Sequence, residues 1–126
     1  MSTETDFRAI LTGHAALTAL VSTRIYPLAA PEGASFPFVA YRRGQDEPQF
    51  DLDNVEVGRT VKMQIDIVPT DYANAIAIGA AIEEAFAVDR DWTLDDEDDQ
   101  DYSVGGGSEE VIRGRRLTFS RWVNAE

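Results

Sequence analysis

Three groups of residues have types and spacings that chemistry could use. Asp51, Asp53 and Asn54 place oxygen donors close together in a polar stretch, as a calcium loop would. An EF-hand loop, however, needs glycine at its sixth position and glutamate at its twelfth. Counted from Asp51, those places hold Glu56 and Lys62, so the pattern fails twice and a solvated loop is expected. The second group is Asp89 to Asp101, with eight carboxylates and one arginine, densest at Asp95-Asp96-Glu97-Asp98-Asp99. The third is Gly106-Gly107-Ser108-Glu109-Glu110, which approaches a nucleophile elbow but lacks its final glycine and leads into no helix.

Like charges at the density of Asp95 to Asp101 repel one another, so this run is expected to be solvated and loose. Three functional readings stand beside that one: divalent-cation binding, docking to a basic partner, and lining a passage to which nucleic acid must not adhere. The single histidine, His14, rules out a His-rich metal site and H-E-x-x-H, and is expected on the surface beside a helix break. Cysteine is absent, which removes disulfides, thiolate ligands and cysteine nucleophiles. Neither G-x-x-x-x-G-K-S/T nor G-x-G-x-x-G occurs. Among 23 acids nothing singles out a catalytic pair. No catalytic residue, cofactor site or metal site is therefore assigned.

Net charge is −12, and ten of the eleven bases are arginine, the residue suited to bidentate pairing at interfaces. Such a surface repels nucleic acid as a whole. No apolar run approaches the ~20 residues of a membrane span, and the first residues carry no signal-peptide pattern. The expectation is a protein made and used in a cytoplasm or in a particle assembled there, without a membrane.

The elements that must position these groups follow from periodicity. Val61, Met63, Ile65 and Ile67 alternate with Lys62, Gln64 and Asp66, the period-two signature of a strand with one buried side. After Pro69, Thr70 or Asp71 can cap a helix in which Tyr72, Ala75, Ile76, Ile78, Ile82 and Phe86 share one side of the wheel. The other side, with Ala73, Ala77, Ala80, Ala81 and Ala87, is smooth and nearly uncharged, too apolar for open solvent. Phe38 to Arg43 is a strand apolar on both faces, and Val111 to Val123 supplies a last one. Two short helices precede these, with Phe7, Ile10, Leu11, Leu17, Leu20 and Val21 at helical spacing. The stretch 44–58 reads as a long polar loop, and such loops are commonly functional. One domain, 1–126, is expected. Its fold class is α+β: a mainly antiparallel four-stranded sheet with the long helix and the short N-terminal helices packed on one face.

With the search for chemistry empty, the physics points to a protein that acts by assembling. Val39 and Tyr41 on the double-sided strand, and Ala73, Ala77 and Ala81 on the smooth helix face, are the candidate subunit interface. Phe50, Asp51, Leu52 and Asp53 are the candidate contact loop.

Ala15 to Val21, Arg24-Ile25-Tyr26-Pro27, the Pro- and Gly-bearing loop after it and Pro37-Phe38-Val39-Ala40-Tyr41 also carry a resemblance. So do Asp51-Leu52-Asp53, Val61 to Asp66, the Tyr72–Phe86 helix and Arg116-Leu117-Thr118-Phe119, in order and spacing. The chain resembles the tail-completion proteins of long-tailed bacteriophages, also called tail terminators or tail-to-head joining proteins. The resemblance implies helices against an antiparallel sheet and a homo-hexameric ring on the head-proximal end of the tail tube. That ring would stop tube growth and join the tail to the head. The implied partners are further copies of the chain, the tail tube protein and the head–tail connector or neck protein, with DNA passing through without specific binding. The implied place is the virion tail, assembled in the host cytoplasm. Two alternatives stand beside it: a neck or head-completion subunit, and an acidic inhibitor that imitates nucleic acid. Asp95, Asp96, Glu97, Asp98 and Asp99 would then be lumen or rim charge, a choice the sequence leaves open.

Overall fold

A computed structural model describes residues 3–31, 33–88, 92–103 and 111–124. Helices α1 (Thr3–Thr12) and α2 (Ala15–Val21) come first, followed by strands β1 (Ile25–Pro27), β2 (Phe38–Arg43), β3 (Glu47–Phe50) and β4 (Glu56–Val68). Helix α3 (Tyr72–Val88) and strands β5 (Thr93–Ser103) and β6 (Val111–Asn124) complete the chain. The strands make one mixed sheet in the order β1-β2-β4-β6-β5, with β3 paired to β4 beyond the end of β2. Every pairing is antiparallel except β1 with β2.

The α+β class holds, but the sheet has six strands rather than four. The stretch 44–58 is not a plain loop, because Glu47–Phe50 forms β3 and β4 begins at Glu56. The run Asp95 to Asp101 is not loose either, because it lies within β5. The first residues of the wider Asp89–Asp101 segment, Asp89 to Asp91, fall outside the described set.

On β4 the alternation sets the core. Val61, Met63, Ile65 and Ile67 are buried under the helices, opposite Phe119 and Leu117 of β6, while Lys62, Gln64 and Asp66 lie half-buried on the open face. Phe7 of α1 packs on Phe86 (ring centroids 4.8 Å apart) and Trp92 (5.0 Å), and Phe86 packs on Phe119 at 4.4 Å. Leu11, Leu17, Val21, Ile25, Val39, Tyr41, Ile78 and Ile82 complete this core. Arg121 closes its edge, its guanidinium 4.8 Å over the Trp92 ring and its Nη2 3.6 Å from Asp6 of α1.

Helix α3 is capped reciprocally. The Asn74 N–H donates to Asp71 Oδ1 (2.7 Å), and the Thr70 N–H donates to Asn74 Oδ1 (3.1 Å). Its rotation differs from the expected one. Ala75, Ile78, Gly79, Ala81, Ile82, Ala85 and Phe86 face inward, while Tyr72 and Ile76 are exposed. At Gly79 an added Cβ would sit in ordinary contact with Arg115 Cδ and Glu97 Oε2, 3.4 Å from each. Small residues thus line the side of the helix that meets its own sheet, and part of the alanine face serves this chain.

Two aromatic rings on the open face lie over glycines. Tyr102 crosses Gly114, where a Cβ would overlap the Ile67 carbonyl oxygen and the ring, and Trp122 crosses Gly58 in the same way. The missing side chains let these rings lie flat on the sheet.

A candidate assembly surface

The outward side of α3 carries Tyr72, Ala73, Ile76, Ala77, Ala80 and Ala87, all exposed. Of the expected interface residues, Ala73 and Ala77 therefore lie on the surface. Ala81, Val39 and Tyr41 do not, because each is buried in the chain's own core. Alternation on β2 shows that both faces are apolar but not which one meets the helices. Register settles it, since Val39 stands opposite Ile67 and Tyr41 opposite Ile65. Tyr72 and Ile76 are the surface residues that the helical wheel misplaced. The signal that could have found them is Gly79, around which the small residues of the inward stripe gather.

The candidate contact loop is the tip of the β3–β4 hairpin. Asp51 shapes it: its Oδ1 accepts the N–H groups of Asp53 (2.9 Å) and Val55 (3.0 Å), its carbonyl accepts the Asn54 N–H (3.0 Å), and its own N–H donates to the Val55 carbonyl (2.9 Å). Asn54 adopts φ 63°, the left-handed conformation asparagine tolerates in turns. Leu52 is fully exposed at the apex, and Phe50, Val55, Val57 and Trp122 are exposed around it. The root is held by charge. The Arg43 Nε and Nη2 groups donate to Asp46 at 3.1 and 2.8 Å, Arg43 Nη1 donates to Glu4 of α1 at 2.9 Å, and Arg59 pairs with Asp46 and Glu56. Hydrogen bonding from Arg43 holds the Asp46 carboxyl below the usual range.

The acidic strand meets an arginine-rich partner in register. Asp98, Asp99 and Asp101 stand opposite Arg116, Arg115 and Arg113. Arg115 Nη1 donates to Glu97 Oε2 (3.0 Å) and its Nε donates to Asp99 Oδ1 (3.2 Å). The Tyr72 hydroxyl donates to Asp99 Oδ2 at 2.8 Å, which together with Arg115 keeps Asp99 ionised below its ordinary pKa. Glu97, Asp99 and Arg115 line a pocket of about 370 Å³ with Glu83 and Asp98. Glu83 is held above the usual carboxylate range by sharing a hydrogen bond with Glu97 and by partial burial. On the open face the Tyr102 hydroxyl (2.7 Å) and Arg116 Nε (2.8 Å) both donate to Asp66 Oδ1. Burial and the neighbouring Asp66 carboxylate push the Tyr102 phenol well above its usual pKa.

Among the described residues no cluster of three or more His, Asp or Glu side chains is arranged to hold a metal ion. Among the same residues no helix is long and apolar enough to cross a membrane. The surface offers apolar patches and paired charge, not a catalytic constellation.

Comparison with known proteins agrees with that character. No curated protein matches the sequence significantly. Among solved structures, a chain from the virion of a native gene transfer agent particle superposes with TM-score 0.59 at 22% identity, covering 94% of this chain and 92% of that one. The gp17 protein of bacteriophage SPP1 superposes with TM-score 0.55 at 14% identity, covering 98% and 91%. At these identities the likeness is one of fold. The family described as tail completion protein gp17 matches residues 5–104, which is most of the sequence. The chain belongs to the tail completion protein gp17 family and is a structural component of the phage virion tail, not an enzyme.

Proposed function

We propose that the chain closes the head-proximal end of the tail tube as a homo-hexameric ring, stops tube growth and joins the tail to the head connector. The observation that carries this reading is the outward side of α3. Ala73, Ile76, Ala77 and Ala80 form a smooth exposed strip, with Tyr72 at its start, that the chain does not cover itself. In a ring each subunit must carry such a surplus surface for its neighbour, because a head-to-tail contact closes only if every copy offers both halves. A net charge of −12 lets DNA pass without adhering, since phosphate finds few free cations to bind by counterion release.

The pairing of β5 with β6 bears on the other readings. Glu97 and Asp99 share Arg115, and Asp101 pairs with Arg113, so part of the run's charge is already engaged within the sheet and the imitation of a phosphate backbone is interrupted. That weakens the inhibitor reading. A neck or head-completion subunit is separated by phenotype: particles lacking a terminator have overlong or unjoined tails, whereas a neck defect leaves finished tails beside leaky heads.

Native mass spectrometry and negative-stain imaging of the purified protein test the proposal. Rings that cap isolated tail tubes are expected. A strictly monomeric protein that ignores tubes overturns it.

A further inference from the structure

We infer that the β3–β4 arm is the docking element for a different protein of the particle, one whose receiving surface is an apolar hollow rimmed by lysine or arginine. The inference rests on the tail-joining reading above and adds the contact and its chemistry.

The arm carries apolar side chains that the rest of the chain leaves exposed. Strand β2 leaves β4 at Met63, and beyond that point only β3 and the end of β6 accompany Glu56–Thr60. Phe50 and Trp122 on the open face, Val55 and Val57 nearby and Leu52 at the apex are all exposed. Single exposed apolar residues are ordinary, but four on one hairpin, with Trp122 of β6 beside them, mark an interaction site. The tip is also ordered in advance. Asp51 fixes the turn through two backbone N–H groups, and Arg43 and Asp46 fix the root, so docking loses little conformational entropy.

Charge selects the occupant. The tip carboxylates of Asp51 and Asp53 take part in no ion pair among the described residues. A second copy of this chain offers them little unpaired charge: of its described basic side chains only Arg8, Arg24 and Arg42 have no carboxylate partner among the described residues. Among the described basic side chains, all except Arg42 are already engaged by a carboxylate, carbonyl or hydroxyl of their own subunit. An acidic, apolar-tipped arm on a chain of net charge −12 therefore fits a basic-rimmed surface on another protein better than it fits itself.

The test offers the ring separately to tail tubes and to DNA-filled heads, both purified from particles that lack this chain, and measures co-sedimentation across a salt series. Leu52→Asp and Asp53→Lys are compared with wild type, with circular dichroism and native mass as controls. Leu52 is fully exposed, so its variant is expected to fold. Wild type should join at least one of the two and weaken tenfold or more as salt rises. Each variant should lose at least tenfold in binding with its native mass unchanged. Joining by both variants at wild-type strength overturns the inference and leaves the tail-joining reading intact. A fall in native mass of Leu52→Asp to the monomer also overturns it, because the arm would then hold subunits together. If wild type joins neither tubes nor heads, the tail-joining reading itself fails and takes this inference with it.

Discussion

Asp99 and Arg115 stand directly opposite one another in the β5–β6 ladder, with Nε 3.2 Å from Oδ1. Their contact explains how a run of acids becomes a strand. Across the ladder Arg113, Arg115 and Arg116 meet Asp101, Asp99 and Asp98, so part of the like-charge repulsion along β5 is set against attraction across it. Arg115 goes further, because it also reaches Glu97 and the Tyr72 hydroxyl and so ties the start of α3 to the sheet edge.

Replacing Arg115 by alanine should therefore cost more than an ordinary surface ion pair. Its side chain is 20% exposed, and removal leaves Glu97, Asp99 and Glu83 facing one another. A loss of about 1–3 kcal/mol is expected, between the surface and buried limits. The Asp99 carboxyl is held below its unfolded pKa, so its contribution is present above that value and disappears as pH falls through the lower folded one. Urea titrations at neutral pH and below about pH 4 should show the gap between variant and wild type narrowing in acid.

Glu83 has the opposite sign. Its folded pKa is raised by Glu97 and by burial, so the stability it contributes belongs to the protonated form. That contribution is complete below the unfolded value and is lost as pH rises through the folded one. At neutral pH the carboxylate is a burden, and Glu83→Gln should raise the melting temperature. The gain is under ~1 kcal/mol because the pair is screened by solvent. Thermal melts should show the increase at neutral pH and none near pH ~4. An equal increase at both would show that charge is not the cause.

Gly114 admits no side chain. Even a methyl group would overlap the Ile67 carbonyl oxygen and push Tyr102 off the sheet, taking its hydroxyl from Asp66. Gly114→Ala is expected to destabilise by at least ~2 kcal/mol through overpacking. The denaturation midpoint should drop while the slope stays constant.

Two alanines one turn apart on α3 should behave differently. Ala77 is exposed, so Ala77→Arg should leave a folded monomer that no longer forms rings. Ala81 is 6% exposed and sits in the core, so Ala81→Arg should fail to fold. Circular dichroism and native mass, measured together, separate the two. Intact rings of Ala77→Arg would remove the outward side of α3 from the interface.

The contrast between these alanines shows where sequence reasoning stopped. The strand Val61–Ile67 was legible because branched and long apolar residues alternate with polar ones, and burial follows that pattern. The rotation of α3 was not, because alanine and glycine carry no preference for inside or outside. Only the position of the sheet reveals that Gly79 faces Arg115 and Glu97. Composition likewise misdirected the reading of Asp95 to Asp101. Charge density along a segment says nothing about the arginines that register brings alongside, and those lie sixteen residues away at Arg115 for Asp99. The hairpin hid for a related reason: all four residues of β3, Pro48 among them, are exposed and give it no buried stripe to betray it.

The length of β4 has a mechanical consequence. Its 13 residues run without interruption from beside the tip of the arm into the centre of the sheet, with β3 and then β2 on one side and β6 on the other. A pull on the arm is directed along the strand axis, across hydrogen bonds that lie perpendicular to it. Those bonds are loaded together in shear rather than peeled one after another. A tail that hangs from its head by this element would thus hang from the whole sheet.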